Sequence, residues 1–112
     1  MIDLKDFEKV DIRVGTILEA KLNDKSNKPS IILIIDFGSK IGLKKTSAQL
    51  TKNYNPDELI GKQIAAVINF PPKQIGKMIS EILVLGFPDD NNEPILVLPV
   101  SYTHLRAHET RI

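Results

Sequence analysis

The chain has 112 residues, no cysteine and a formal charge of only +1. That length has room for one domain, and the missing thiols exclude disulfides, thiolate zinc sites, iron–sulfur clusters and cysteine nucleophiles. With 42% hydrophobic and 26% charged residues, the composition is that of a folded chain, and near-neutrality confines any polyanion site to a local patch or to one assembled from two copies.

Residues 1–6 lack the basic-then-apolar order of a signal peptide. The longest apolar run, residues 31–35, is far short of a membrane span. A cytoplasmic location without membrane insertion is therefore expected. Leu4 to Phe7 reads as a turn of helix that tucks Phe7 against one end of the domain. Next, Val10, Ile12 and Val14 alternate with Asp11, Arg13 and Gly15, the pattern of a strand with one wet face, which would carry Arg13. Gly15 in mid-strand predicts a bulge or bend where a small barrel turns a corner.

Residues 23–30 form a loop by composition, ended by Pro29. The β-branched run 31–35 predicts a strand, residues 36–40 a turn, and residues 41–47 the returning strand of a hairpin. The period then changes. Asn55 is a helix N-cap, Pro56 the first helical residue, Asp57 and Glu58 the acidic first turn, and Gly61 the stop. Residues 63–70 predict a strand halted by Pro71 and Pro72. A basic loop, Lys73 to Lys77, leads to a strand over 80–86, a turn over 88–94 and a last strand over 95–98. The sum is an all-β fold: a five-stranded OB-fold Greek-key barrel with a short helix between strands 3 and 4 and small terminal extensions. A small sandwich is the competing architecture, and the helix position favours the barrel.

Nothing in the chain converges on catalysis. Asp36, Asp57, Glu58 and Glu81 are accounted for as turn, cap and strand-surface residues. Ser47 and Ser80 have no credible histidine partner, and there is no glycine-rich phosphate loop. His104 and His108, four apart, make half a metal site without a third ligand. No enzyme activity, cofactor or metal is expected. The aromatic residues are few and read mostly as core or turn fillers, which disfavours a base-stacking reader of single strands. The cations on predicted strand ends and loops, Lys44, Lys45, Lys52, Lys62, Lys73 and Lys77 with Arg13, suit a folded RNA gripped by its backbone and 2′-hydroxyls.

Three stretches go beyond pattern: Asp11-Ile12-Arg13-Val14-Gly15, then Tyr54-Asn55-Pro56-Asp57-Glu58-Leu59-Ile60-Gly61-Lys62, then Asn69-Phe70-Pro71-Pro72-Lys73-Gln74-Ile75 with Ser80 following. In this order and spacing, over residues 6–100, they resemble the tRNA-binding domain family. That family includes domains appended to methionyl-tRNA synthetases and free-standing proteins of the CsaA type, described as dimeric secretion chaperones. The resemblance implies an OB-fold homodimer that binds tRNA by shape, with Asn69, Lys73 and Ser80 on the RNA-facing surface. Gly76-Lys77 stands where the family often carries an Arg-Gly pair.

The expected RNA face is therefore Arg13, Lys44, Ser47, Asn69, Lys73, Lys77 and Ser80. An apolar ledge of Phe70, Pro71, Pro72, Ile75, Met78 and Ile79 is expected to serve either as a dimer interface or as a seat for unfolded precursor polypeptides, the alternative chaperone function. Residues 1–100 are read as the domain. Residues 101–112 depart from the family pattern and are read as an atypical, foreign tail, although Arg111-Ile112 matches the family's closing basic-apolar pair.

Overall fold

The longest strand, β1 (Ile12–Asn23), is the spine of the molecule, and the computed structural model describes residues 1–23 and 28–100 around it. The readings made for the tail, its two histidines included, lie outside the described residues. On one side β1 pairs antiparallel with β2 (Ser30–Asp36), which pairs in turn with β3 (Leu43–Ala48). On the other side β1 pairs with β4 (Gln63–Val67), whose far edge takes β7 (Leu83–Val84). The sheet order β3-β2-β1-β4-β7 is that of a strongly curled five-stranded antiparallel sheet, and the fold is an OB-like all-β barrel as expected.

Alternation explains why the sheet curls around a core. Ile31, Leu33 and Ile35 on β2 are fully buried, as are Ile17 on β1 and Ile64 on β4. Each such side chain stabilises the fold by about 1.5–3 kcal/mol relative to exposure. The short helix α2 (Pro56–Leu59) adds the fully buried Leu59 to the same core. Its capping chemistry follows the sequence: the Asn55 backbone N–H donates to Glu58 Oε1 at 2.7 Å. Gly61, at φ +89°, turns the chain back so that its N–H reaches the Ile17 carbonyl at 2.8 Å.

The curled sheet is closed between its outer strands by hydrogen bonds rather than a regular ladder. The Glu81 N–H donates to the Lys45 carbonyl at 2.8 Å, and the Lys45 N–H donates to Glu81 Oε1 at 2.9 Å. The buried Thr46 hydroxyl donates to the Ile82 carbonyl at 3.0 Å. These bonds interrupt the strand expected over 80–86, which the structure divides among β6 (Met78–Ser80), β7 and β8 (Gly86–Pro88). The last of these pairs with β9 (Pro94–Leu96) in a small separate hairpin.

Three other expectations are corrected. Gly15 is not at the bulge; the β1–β2 register shifts between Ile17 and Glu19, around Leu18. Gly15 instead permits close packing, because a Cβ there would lie 2.5 Å from Ile35 Cγ2 and 2.7 Å from the Phe37 ring. The apolar face of early β1 is turned outward: Ile12 and Val14 are exposed while Gly15 and Ile17 are buried. Finally, the N-terminal helix α1 (Leu4–Glu8) buries none of its residues, and Phe7 stands 56% exposed instead of tucking into the domain. Among the described residues no helix is long and apolar enough to cross a membrane.

Candidate nucleic-acid interface

The segment read as a basic loop is a β-hairpin. β5 (Lys73–Ile75) pairs with β6 in a two-stranded sheet of its own, with Lys73 opposite Ser80 and Ile75 opposite Met78. Short range order explains it: Gly76 adopts φ +61°, and the Gln74 side-chain amide donates to the Gly76 carbonyl at 2.7 Å. Three-residue strands are too short to bury much, so every residue of β5 is exposed. Lys73 and Lys77 are exposed, and neither is paired with a described carboxylate.

Ser80 roots this hairpin in the barrel. Its Oγ lies 2.6 Å from Thr46 Oγ1 and accepts the Ser47 N–H at 3.5 Å, while Ser47 Oγ donates to the buried Ser30 hydroxyl at 3.1 Å. Lys73, Ser80 and Ser47 are therefore contiguous. Lys44, on β3, sits opposite Ile35 of β2 and is half-buried.

Asn69 belongs to a second cluster. Its Oδ1 accepts the Asp11 N–H at 2.9 Å and its Nδ2 donates to the Lys9 carbonyl at 2.7 Å. With the Ile68 N–H donating to the Asp11 carbonyl at 3.0 Å, the amide side chain continues the β1–β4 ladder beyond its last main-chain pair. Asp11 in turn holds Arg13, which donates from Nε to Oδ1 at 2.6 Å and from Nη2 to Oδ2 at 3.3 Å. That hydrogen bond and the carboxylate's charge raise the Arg13 pKa above its ordinary value.

The expected set thus falls into two groups, Lys73–Ser80–Ser47 and Asn69–Arg13, with Lys77 at the hairpin turn. Asp11, read in the sequence as part of the alternating strand and of the first resemblance stretch, was not named as a partner of Arg13. The signal was present, since residues two apart on a strand share a face.

The apolar ledge divides as well. Pro72, Ile75, Met78 and Ile79 line a groove of about 840 Å³ together with Ile32, Lys45, Lys77 and Glu81. Phe70 and Pro71 are exposed on the preceding loop. Elsewhere, Ile12 and Val14 of β1 and Leu83 of β7 are exposed, and register puts them on one outward face through Val67. Among the described residues, no group of three His, Asp or Glu side chains is arranged to hold a metal ion.

Comparison with known proteins gives the family of the chain. Residues 12–104 match the family described as "Putative tRNA binding domain". The chain is 50% identical to the CsaA chaperone protein of Picrophilus torridus, with a TM-score of 0.85 over 90% of this chain and 92% of that one. It is 45% identical to the chaperone CsaA of Bacillus anthracis, with a TM-score of 0.83 over 88% and 89%. Methionine–tRNA ligase of Porphyromonas gingivalis is 32% identical over 100 residues, 89% of this chain. The chain spans only 14% of that ligase's length.

Proposed function

The chain belongs to the tRNA-binding domain family, and we propose that it binds folded tRNA, without reading base sequence, through the face that carries Lys73, Lys77, Lys44, Ser47, Ser80, Asn69 and Arg13. The observation that carries this reading is the β5–β6 hairpin, which projects two exposed lysines free of described carboxylate partners. Each lysine neutralises one phosphate and releases its counterions. Ser80 and Asn69 spend hydrogen bonds, two of the four positions in the case of Asn69, on holding the hairpin root and the start of β1. They set where the cations stand, and their remaining donor and acceptor positions face sugar or phosphate oxygens. The role is binding, not catalysis, and its compartment is the cytoplasm.

Two copies share the work. A patch that repeats on both partners of a two-fold dimer must be self-complementary, and the uncharged outward face of Ile12, Val14 and Leu83, with exposed Leu4 and Phe7 of α1 beside it in sequence, meets that condition. Doubling the cationic surface offsets the charge of +1 per chain.

A second reading rests on the groove under the hairpin. Its apolar lining of Pro72, Ile75, Met78, Ile79 and Ile32 suits an extended apolar segment of an unfolded polypeptide. Salt separates the two readings. Titration against total tRNA at low and moderate salt, with an unfolded peptide in parallel, is expected to give tRNA affinity that falls steeply with salt. Lys73→Ala is expected to weaken all tRNAs alike and to reduce the slope of log K against log salt by about 0.9. An unchanged slope removes Lys73 from the site. Salt-tolerant peptide binding without tRNA binding promotes the chaperone reading.

A further inference from the structure

The cations of the proposed face are not equivalent. Lys73 and Lys77 have no carboxylate partner among the described residues, whereas Arg13 is clamped by Asp11 through two hydrogen bonds of 2.6 and 3.3 Å. Both members remain open to solvent, with side chains 54% and 37% exposed. An isolated surface ion pair contributes little because both side chains wander. Here the backbone under Asp11 is fixed from the opposite strand by the Asn69 amide, which takes the Asp11 N–H at 2.9 Å and grips the Lys9 carbonyl at 2.7 Å. The carboxylate is thereby placed, and it in turn orients the guanidinium.

The consequence is a side-by-side donor and acceptor with little net charge. Of the five guanidinium N–H donors, two point at Asp11 and three remain. The carboxylate keeps free lone pairs next to them. A phosphate would meet both an attractive guanidinium and a repulsive carboxylate, so this pair is a poor counterion. A hydroxyl, which donates and accepts at once, satisfies both halves. On an RNA backbone that group is the ribose 2′-hydroxyl, the feature that separates RNA from DNA.

We infer that the Asp11–Arg13 pair, positioned by Asn69, receives a ribose 2′-hydroxyl, the hydroxyl donating to the Asp11 carboxylate and accepting from the Arg13 guanidinium, and so discriminates RNA from DNA. This rests on the tRNA-binding reading above and assigns a different job to Arg13 than to the lysines: the lysines supply salt-dependent affinity, and the pair supplies salt-independent selectivity.

The test is a charge-conserving double variant, Asp11→Asn with Arg13→Gln, titrated against a tRNA transcript and its all-deoxy counterpart over a range of salt. The expected result is a roughly tenfold loss of tRNA affinity, little change for the deoxy ligand, and an unaltered salt slope. Equal losses for both ligands with a slope reduced by about one make Arg13 a phosphate contact and overturn the inference. Unchanged affinities for both ligands overturn it too, by placing the pair outside the interface. A wild-type protein that binds neither ligand fails at the earlier step and removes tRNA binding itself. Should the double variant melt well below the wild type, Arg13→Lys keeps the charge and removes the planar fork. It is expected to show the same selective loss for tRNA, and a retained preference would refute the proposal.

Discussion

The barrel body and the arms attached to it are held by different forces. In the body, fully buried Ile17, Ile31, Leu33, Ile35, Leu59 and Ile64 interlock, and a side chain has one place to go. The β5–β6 hairpin and α1 bury little, the β8–β9 hairpin buries Leu96, and all three are tied by small polar networks: Ser80 on Thr46, Asn69 on residues 9 and 11, Asp89 in its turn. Packing leaves a residue little freedom to do anything else. The arms, held at a few points, are where cations and exposed apolar groups can be presented to a partner.

Substitutions break this comparison in order of depth. The largest effect is expected in the body. Gly15→Ala puts a methyl 2.5 Å from Ile35 Cγ2 and 2.7 Å from the Phe37 ring, contacts that only a shift of buried side chains relieves. A loss of about 2 kcal/mol, and a fall in Tm on the order of 10 °C, is expected in thermal melts. A wild-type Tm would mean that the core has slack at β1 and that the body is less tightly determined than its burial implies.

At the junction of body and arm the effect should be smaller. Thr46→Val keeps the volume but removes the hydroxyl that donates to the buried Ile82 carbonyl and meets Ser80. Ser80 already lies 3.3 Å from the same carbonyl and can take over part of the bond. Destabilisation of about 1 kcal/mol is expected in denaturant unfolding. A change several times larger would show that the hydroxyl seam, not the apolar core, closes the barrel.

How legible each region was in the sequence follows the same division. The strand at 31–35 and the helix at 56–59 were readable because β-branched runs and capping residues act locally, and so was the strand from 63, although it ends at Val67 and not at 70. Burial of Ile31, Leu33 and Ile35 was implied by that run. The inversion of early β1 was not, because Val10, Ile12 and Val14 alternate as a core face should, and only pairing partners reveal which face the barrel encloses. The hairpin over 73–80 was invisible as strand because three-residue strands carry no period. In the candidate site, Lys73 and Asn69 were flagged by resemblance, but their different duties were not. That Asn69 serves the main chain of residues 9 and 11, fifty-eight or more positions away, is a fact of tertiary geometry. The Asp11–Arg13 spacing, two apart on one predicted strand, was legible; that Asn69 fixes the backbone under Asp11 was not.

The smallest expected effect lies in the second arm and depends on pH. In the turn between β8 and β9, Asp89 Oδ1 accepts the N–H groups of Glu93 and Asn91 at 2.9 and 2.8 Å, and Oδ2 accepts from the Asn53 amide at 3.1 Å. The Glu93 backbone bond first, then the Asn53 side chain, favour the ionised form and lower the Asp89 pKa below its ordinary value. A carboxylate depressed in the folded state stabilises above its unfolded pKa of about 4 and loses that contribution as pH falls through the folded pKa. Asp89→Asn keeps one acceptor for the backbone but turns an N–H toward the Asn53 N–H, so the variant should be less stable near neutrality. The gap should begin to narrow as pH falls below about 4 and close only below the depressed folded pKa, where wild-type Asp89 is protonated in the folded state as well. Melting curves at neutral and acid pH check this. A gap that stays constant with pH would mean that the turn is held by shape alone, and the contrast between a packed body and electrostatically held arms would then fail for this hairpin.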